Sequence, residues 1–203
     1  ISNVREITLE ANPGETTRQT LSEFHNLGIN RLSMGFQSLQ PKLLTYLSRL
    51  HSPKDCFSIY RDARDAGFEN INIDMIFNIP GQSLAVFQDD MKQVVKLEPE
   101  HISSYSLTVE KNTPLYTIVQ DGKIVMPSED MYLDMFEFCQ KYLRSHRYNQ
   151  YEISNYCKIG MECCHNLHYW NLEPYLAFGP SVHGYDGHKR WWNTSSLDAY
   201  IKM

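Results

Sequence analysis

The sequence lacks any apolar run of the roughly 20 residues that a membrane-spanning helix needs. No basic segment followed by a short apolar stretch opens it, so it shows no secretory signal. Basic residues are few, with 19 Lys and Arg against 24 Asp and Glu, a formal net charge of -5. Because a polyphosphate backbone binds to a basic face, this composition argues against nucleic acid as a partner. We expect a protein with no membrane span.

The cysteine pattern excludes a disulfide scaffold. The five cysteines are odd in number and irregularly spaced, which is typical of a reducing compartment. Together with the missing signal, this predicts a cytoplasmic location. The chain also lacks an initiator Met, and strand-like alternation begins by Val4. We therefore expect that an N-terminal part of a larger protein is missing from this sequence.

Strand-like and helix-like segments alternate along most of the chain. Apolar-rich strands are predicted near Ile7–Ala11, Arg31–Phe36, Ile71–Phe77, Ile102–Val109 and Gln150–Ser154, separated by helical stripes. Such alternation implies parallel pairing through right-handed crossovers. The predicted fold class is α/β, an incomplete, TIM-like parallel β/α barrel with a C-terminal extension. We expect residues 1–155 to form the barrel portion and residues 156–203 to begin the extension.

Each predicted strand ends at or near an ionisable or amide residue, where the reactive face of a parallel barrel is built. Asp74 is the strongest case, because apolar residues surround it in the sequence and a buried carboxylate needs a partner. Arg31 and Arg49 are available cations. For any single residue a solvated strand end is the favoured interpretation, but the position recurs in Glu10, Gln37, Asp74, Glu110 and Glu152.

Six segments resemble, in order, the blocks of one family and cover nearly the whole chain. The family is the radical S-adenosylmethionine (SAM) family, in the branch that contains the oxygen-independent coproporphyrinogen III oxidases and the HemW-type haem chaperones. The segments are "EITLEANPGE", "GINRLSMGFQSL", "LSRLHS", "AGFENINIDMIFNIPGQ", "PEHISSYSLTVEKNTP" and "YEISNYCKIGMECCHNLHYW".

The resemblance implies an incomplete barrel that binds SAM beside a [4Fe-4S] cluster. Matched position by position, the residues implied to contact SAM are Glu10, Gln37, Arg49 and Asp74, with Thr108 and His183 as two further positions. The chemistry agrees with these roles. Carboxylates suit an ammonium group and ribose hydroxyls, Arg suits a carboxylate, and Gln serves either.

One feature of the family is absent from this sequence. The family holds its cluster with a C-x3-C-x2-C loop after the first strand, and no such spacing occurs here. We expect the cluster cysteines upstream of Ile1, and therefore neither metal ligands nor catalytic residues within the 203 residues. The chain alone is expected to be inactive.

The segment "CCHNLHYW" (residues 163–170) admits three interpretations. Zinc ligands are present, but structural zinc sites separate paired ligands by two or more residues. The aromatic residues are also compatible with simple packing on the barrel. The third interpretation is haem, since imidazole is an axial iron ligand and aromatic rings stack on a macrocycle. The H-N-x-x-Y-W pattern resembles the haem-chaperone branch and implies haem binding by His165, Asn166, Tyr169 and Trp170.

Three functions follow as alternatives, and the H-N-x-x-Y-W pattern favours the first of them. The first is a haem chaperone that binds haem and transfers it to a recipient protein. The second is an oxygen-independent coproporphyrinogen III oxidase, which decarboxylates the propionate side chains of a porphyrinogen in haem biosynthesis and needs a basic pocket. The third is a barrel hydrolase that uses Asp74 and Glu110 with a metal. Whether the protein is an enzyme stays open between them.

Overall fold

The structure is a computed structural model that describes residues 4–202. The chain divides into two compact units, Ile1–Met161 and Glu162–Met203. The division expected between residues 155 and 156 falls inside the strand Asn155–Cys157 of the first unit.

A six-stranded sheet forms the centre of the first unit. Strands β1 (Thr8–Ala11), β2 (Arg31–Gln37), β3 (Ile71–Phe77) and β4 (His101–Ser106) pair in parallel and in chain order. Sequential parallel strands need a crossover between each pair, and helices fill those connections. The predicted α/β class with a mostly parallel sheet is therefore confirmed.

The last part of the sheet differs from the expectation. Instead of one parallel strand over Gln150–Ser154, the chain forms β5 (Asn149–Gln150) and β6 (Asn155–Cys157). These two strands are antiparallel to each other, and β6 is antiparallel to β4. The prediction was wrong here because alternation marks a strand but carries no information on its direction. Strand β4 also ends at Ser106 rather than Val109.

The helices of the first unit begin at well-defined caps. Thr17 and Ser83 each accept a hydrogen bond from a backbone N–H three residues on, and Ser52 forms a capping box with Asp55. Gly28 and Gly67 follow two of the helices with positive φ, as the sequence predicted. The helices are α1 (Arg18–Asn26), α2 (Pro41–Tyr46), α3 (Pro53–Asp65), α4 (Leu84–Lys96), α5 (Pro114–Gln120) and α6 (Glu129–Ser145).

The two faces of the central strands have opposite chemistry. In β3, Ile71, Ile73, Met75 and Phe77 are buried and join one hydrophobic core with the apolar sides of the helices. Successive side chains of a strand point to opposite faces, so Asn72 and Asp74 lie on the other face. Strand β2 repeats the pattern, with Leu32, Met34 and Phe36 in the core and Ser33 and Gly35 opposite.

The second unit is small and built around a two-stranded antiparallel sheet. Its elements are α7 (Cys164–Trp170), β7 (His183–Tyr185), β8 (Arg190–Trp192) and α8 (Leu197–Ile201). A Cβ on Gly184 would overlap the Trp191 ring, so Gly184 allows that ring to pack directly on β7. Within residues 4–202, no helix is both long and apolar enough to cross a membrane.

Candidate functional site

The register of the parallel strands brings polar residues into rows on one face of the sheet, which we call the polar face. Glu10, Ser33, Asn72 and His101 lie opposite one another across β1 to β4. The next row toward the strand ends contains Gly35, Asp74 and Ser103. Because residues at equal levels of parallel strands face the same way, the polar face is continuous across four strands.

Asp74 is held on this face by hydrogen bonds from its neighbours. Ser33 Oγ donates to Asp74 Oδ2 at 2.9 Å, and Asn72 Nδ2 donates to Asp74 Oδ1 at 2.8 Å. The cation partner expected from the sequence is not there, since no described ion pair joins Asp74 to Arg31 or Arg49. The apolar residues around Asp74 in sequence point into the core instead, so the half-buried carboxylate needs hydrogen bonds rather than a salt bridge.

Gln37, Arg49 and Asn12 converge beside Gly35. A Cβ on Gly35 would lie 2.7 Å from Gln37 Nε2 and 3.2 Å from Asn12 Oδ1, so the absence of a side chain makes room for both. Arg49 Nη1 donates to Asn12 Oδ1 at 3.3 Å. Since Gly35 lies directly opposite Asp74 in the sheet, Gln37 and Arg49 gather at the same end of the polar face as Asp74.

A β-bulge sets the position of Gln37. Gly35 pairs with Asp74 but Gln37 pairs with Met75, so β2 advances by two residues where β3 advances by one. Gln37 also has a φ of 66°, an uncommon value for a residue other than glycine. A regular ladder would place Gln37 one residue further from the level of Asp74, so the bulge keeps the Gln37 amide close to that level.

The loop after Gln37 is anchored by a buried carboxylate from α4. Asp90, fully buried, accepts hydrogen bonds from Ser38 Oγ at 2.6 Å, Leu39 N at 3.1 Å and Gln40 Nε2 at 2.8 Å. Burial raises the pKa of the Asp90 carboxyl, and these hydrogen bonds oppose that effect. Asp90 therefore fixes the backbone that follows Gln37, although it does not itself lie on the polar face.

The remaining sequence-predicted residues lie apart from this convergence. Glu10 is exposed in β1, at the level of Ser33, with no hydrogen bond from another described side chain. Thr108 is exposed in the loop after β4, where its hydroxyl donates to the Ser106 carbonyl. Glu110 is exposed in the same loop, and Glu152 accepts from Ser154 N in the β5–β6 turn. The structure thus brings together Gln37, Arg49 and Asp74, with Glu10 one row away.

In the second unit, the four residues of the H-N-x-x-Y-W pattern lie on α7. Their spacing of one, four and five residues places them along one side of the helix. The ring centroids of His165 and Tyr169 are 4.8 Å apart in an edge-to-face arrangement. The ring centroids of Tyr169 and Tyr175 are 4.4 Å apart. His165 is exposed, and Trp170 is 53% exposed. This side of α7 therefore presents an imidazole next to accessible aromatic surface.

Other features of the second unit bear on the alternative interpretations. His168 Nδ1 lies 3.3 Å from a Glu173 carboxylate oxygen. Across residues 4–202 the structure assembles no group of three His, Cys, Asp or Glu side chains suited to a metal ion. His183 is exposed in β7, 6.2 Å from the Trp192 ring.

The fold is similar to that of a known class of proteins. The model of the Radical SAM superfamily matches residues 1–94. The solved structure of coproporphyrinogen III oxidase (HemN) from Escherichia coli, a radical SAM enzyme, has a TM-score of 0.80 at 22% identity. It covers 97% of this chain and 48% of its own. The archaeal Elp3 of Methanocaldococcus infernus is also similar, with a TM-score of 0.57, and the match covers 66% of this chain and 32% of the Elp3 chain. Residues 1–94 thus match the radical SAM superfamily, and the fold of the chain is similar to that of a radical SAM enzyme.

Within the superfamily, the curated relatives are haem chaperones HemW. The Bacillus subtilis protein is 39% identical over 202 residues, 100% of this chain and 53% of the relative. The proteins of Mycobacterium tuberculosis (34%, covering 98% and 51%) and Escherichia coli (36%, covering 88% and 46%) are similar. The expected family and branch are confirmed. The chain spans about half the length of the curated relatives it matches.

Proposed function

We propose that this protein is a radical SAM haem chaperone, which binds haem and delivers it to a recipient protein. The observation that carries the proposal is the identity to HemW proteins, 33–39% over 88% or more of this chain for most of those compared. The exposed imidazole and aromatic side of α7 supports it, because these groups suit an iron porphyrin. His165 is the proposed axial ligand, and Asn166, Tyr169 and Trp170 are the proposed neighbours of the macrocycle.

The residues at the end of the polar face fit SAM as a ligand. The space beside Gly35 is bordered by an amide and a guanidinium, and Asp74 faces it from the next strand. We propose that Asp74 and Glu10 accept hydrogen bonds from ammonium or hydroxyl groups, that Arg49 binds a carboxylate, and that Gln37 serves either. SAM bound at these residues would supply a sulfonium centre. Thr108 and His183 stay as proposed further contacts.

The described residues do not fit the [4Fe-4S] cluster. Four of the five cysteines are buried and Cys164 is half-buried, and no three metal-ligating side chains converge. The adjacent Cys163 and Cys164 point in different directions and do not replace a C-x3-C-x2-C loop. We therefore assign no cluster ligand to this chain, and the proposed cofactor set of SAM, cluster and haem concerns the whole protein.

The coproporphyrinogen III oxidase function is the second candidate. It rests on the fold likeness to HemN, whereas the identity to that enzyme is 22%. The two candidates differ in a measurable way, because an oxidase releases carbon dioxide from porphyrinogen propionates and a chaperone does not. Decarboxylation by the whole, cluster-loaded protein is expected to be absent. Turnover of coproporphyrinogen would instead establish the oxidase.

Haem binding tests the chaperone proposal directly. In the whole protein, His165→Ala is expected to abolish the wild-type Soret shift and weaken haem binding by about tenfold, because the axial ligand is lost. His168→Ala is the matched control, since it removes an imidazole from the same helix that faces Glu173. Haem titration followed by absorbance measures both. Equal spectra for wild type and His165→Ala would remove His165 as the ligand.

Filling the space beside Gly35 tests the SAM site. Gly35→Ala would bring a methyl group to 2.7 Å from Gln37 Nε2, so the Gln37 side chain must move. We expect SAM binding by the whole protein to weaken about three- to tenfold, as for a lost neutral hydrogen bond. In a Gln37→Ala background the same change should add little, because its effect acts through Gln37. Additive effects in this double-mutant cycle, measured by equilibrium dialysis, would contradict the assignment.

A further inference from the structure

A chain of hydrogen bonds runs behind Asp74 from β3 to the β5–β6 turn. Asn72 Nδ2 donates to Asp74 Oδ1 at 2.8 Å and to Ser33 Oγ at 2.7 Å. Asn72 Oδ1 lies 2.6 Å from His101 Nδ1, and His101 Nε2 lies 2.8 Å from the Tyr151 hydroxyl. All of these residues belong to the first unit, and Ser33, Asn72 and His101 are buried.

In this series of hydrogen bonds, only one assignment of donors and acceptors is consistent. Both N–H groups of the Asn72 amide are already used toward Ser33 and Asp74, so Asn72 Oδ1 must accept. His101 Nδ1 therefore carries the proton. Burial, with a smaller contribution from the Arg31 cation, lowers the pKa of His101 to about 3, so the ring is neutral and Nε2 accepts from the Tyr151 hydroxyl. Ser103 Oγ also donates to Asn72 Oδ1, at 3.1 Å.

Every bond in the chain therefore points its proton toward Asp74. Tyr151 donates to His101, His101 to Asn72, and Asn72 to the carboxylate, while Ser33 accepts from Asn72 and donates to Asp74 Oδ2. Each carboxylate oxygen thus receives one bond from within the protein, and its remaining lone pairs are open to a ligand. If the Asn72 amide turned over, its oxygen would face the carboxylate and repel it. Such a turn would also oblige His101 to move its proton from Nδ1 to Nε2 and would leave the Ser103 hydroxyl without its acceptor, so the His101 and Ser103 donors both favour the observed orientation.

We propose that Asn72 and His101 are positioning residues that orient the Asp74 carboxylate as an acceptor for the ammonium or hydroxyl groups of SAM. Neither residue touches the ligand. The inference rests on the proposed SAM site, and it adds that affinity at this site depends on the His101 tautomer and, through Tyr151, on the β5–β6 turn. A merely structural network would instead change the stability of the protein without changing its affinity for SAM.

Binding of SAM to the whole, cluster-loaded protein separates the two roles. His101→Leu removes the donor to Asn72 and is expected to weaken SAM binding about tenfold. His101→Asn places an amide N–H near the position of Nδ1 and should stay within about twofold of the wild type. Tyr148→Phe is the control, because it removes another buried hydrogen bond, from the Tyr148 hydroxyl to the Pro99 carbonyl at 2.8 Å, away from the chain. Its SAM affinity should not change.

The outcomes distinguish this inference from the proposed site itself. If Asp74→Asn weakens SAM binding but His101→Leu does not, the positioning role is wrong and the site stands. Should Asp74→Asn leave binding unchanged, the site fails first. Equal losses in His101→Leu and Tyr148→Phe would show that affinity follows stability alone, which overturns the inference.

The tautomer of His101 can also be measured directly, in an experiment that does not involve SAM binding. Nitrogen-15 NMR of histidine-labelled whole protein should show one imidazole that remains neutral and protonated at Nδ1 from about pH 5 to pH 8, where ordinary histidines titrate. The signal is assigned by its absence in His101→Asn. A His101 signal that titrates, or that reports protonation at Nε2, would overturn the inference even where His101→Leu fails to fold.

Discussion

Asp74→Asn is expected to weaken SAM binding by about 10- to 100-fold, the cost of losing hydrogen bonds to a charged group. The amide replaces one carboxylate oxygen by an NH2 group, which then faces one of the two present donors, Ser33 Oγ at 2.9 Å or Asn72 Nδ2 at 2.8 Å, and loses that hydrogen bond. It also removes the negative charge that an ammonium group of the ligand would face. Equilibrium binding to the whole, cluster-loaded protein measures the effect.

Asp89→Asn is the matched control for this experiment. Asp89 is an exposed aspartate on α4 whose carboxylate accepts only a surface hydrogen bond from Gln93, so the same chemical change there should leave SAM binding unaltered. Wild-type affinity in Asp74→Asn would show that Asp74 is not a ligand contact. Because Asp74 is half-buried outside the core, the mutant should remain folded, and far-UV circular dichroism verifies this.

Asp90→Ala is expected to lower the free energy of unfolding by about 3 kcal/mol, since it leaves several buried donors without an acceptor. Leu39 N–H and the Ser38 hydroxyl lose their partner, and the loop after Gln37 loses its anchor. Asp90→Asn is the matched control and should lower the free energy of unfolding by less than about 1 kcal/mol. An amide oxygen still accepts from Ser38 and Leu39, and the Gln40 amide turns over to accept from the new NH2. Urea unfolding of the whole protein measures both, and equal losses would contradict this account.

The difference in unfolding free energy between wild type and Asp90→Asn should depend on pH with a definite sign. Burial raises the pKa of Asp90 above its ordinary value of 3.8 in the folded protein. Its contribution to stability is therefore fully present below that value and is lost as pH rises through the folded pKa. Asn does not titrate. The stability of wild type relative to Asp90→Asn should thus fall as pH rises above 3.8, and a rise would show that the folded pKa is lowered instead.

Most of the fold was predictable because alternation and caps are local signals. Strands β2 and β3 were placed within a residue of their observed bounds. The β5–β6 hairpin was not predictable in this way. Its direction depends on which edge of β4 the returning chain meets, and that is a property of the assembled sheet rather than of residues 149–157.

The candidate site was predictable in its ligand-facing residues but not in their support. Gln37 and Asp74 stood out as polar groups at strand ends, and the structure brings them to one end of the sheet. Ser33, Asn72 and His101 were missed, because each looks like an ordinary polar residue within or beside a strand. The available signal was their period of two with Gly35 and Asp74, which places them on the same face. The hydrogen-bond partners of Asn72 come from three strands, so they can be identified only from the structure.

The separation of the sheet into a core face and a polar face has a consequence for how this protein can change. The proposed ligand contacts and the core residues alternate along the same strands, so their side chains point to opposite faces of the sheet. Substitutions at Glu10, Gln37 or Asp74 can retune recognition while Leu32, Ile73 and Phe77 keep the interior intact. The core can therefore stay unchanged while the proposed ligand contacts vary, whereas the loop after Gln37 still depends on Asp90 of α4.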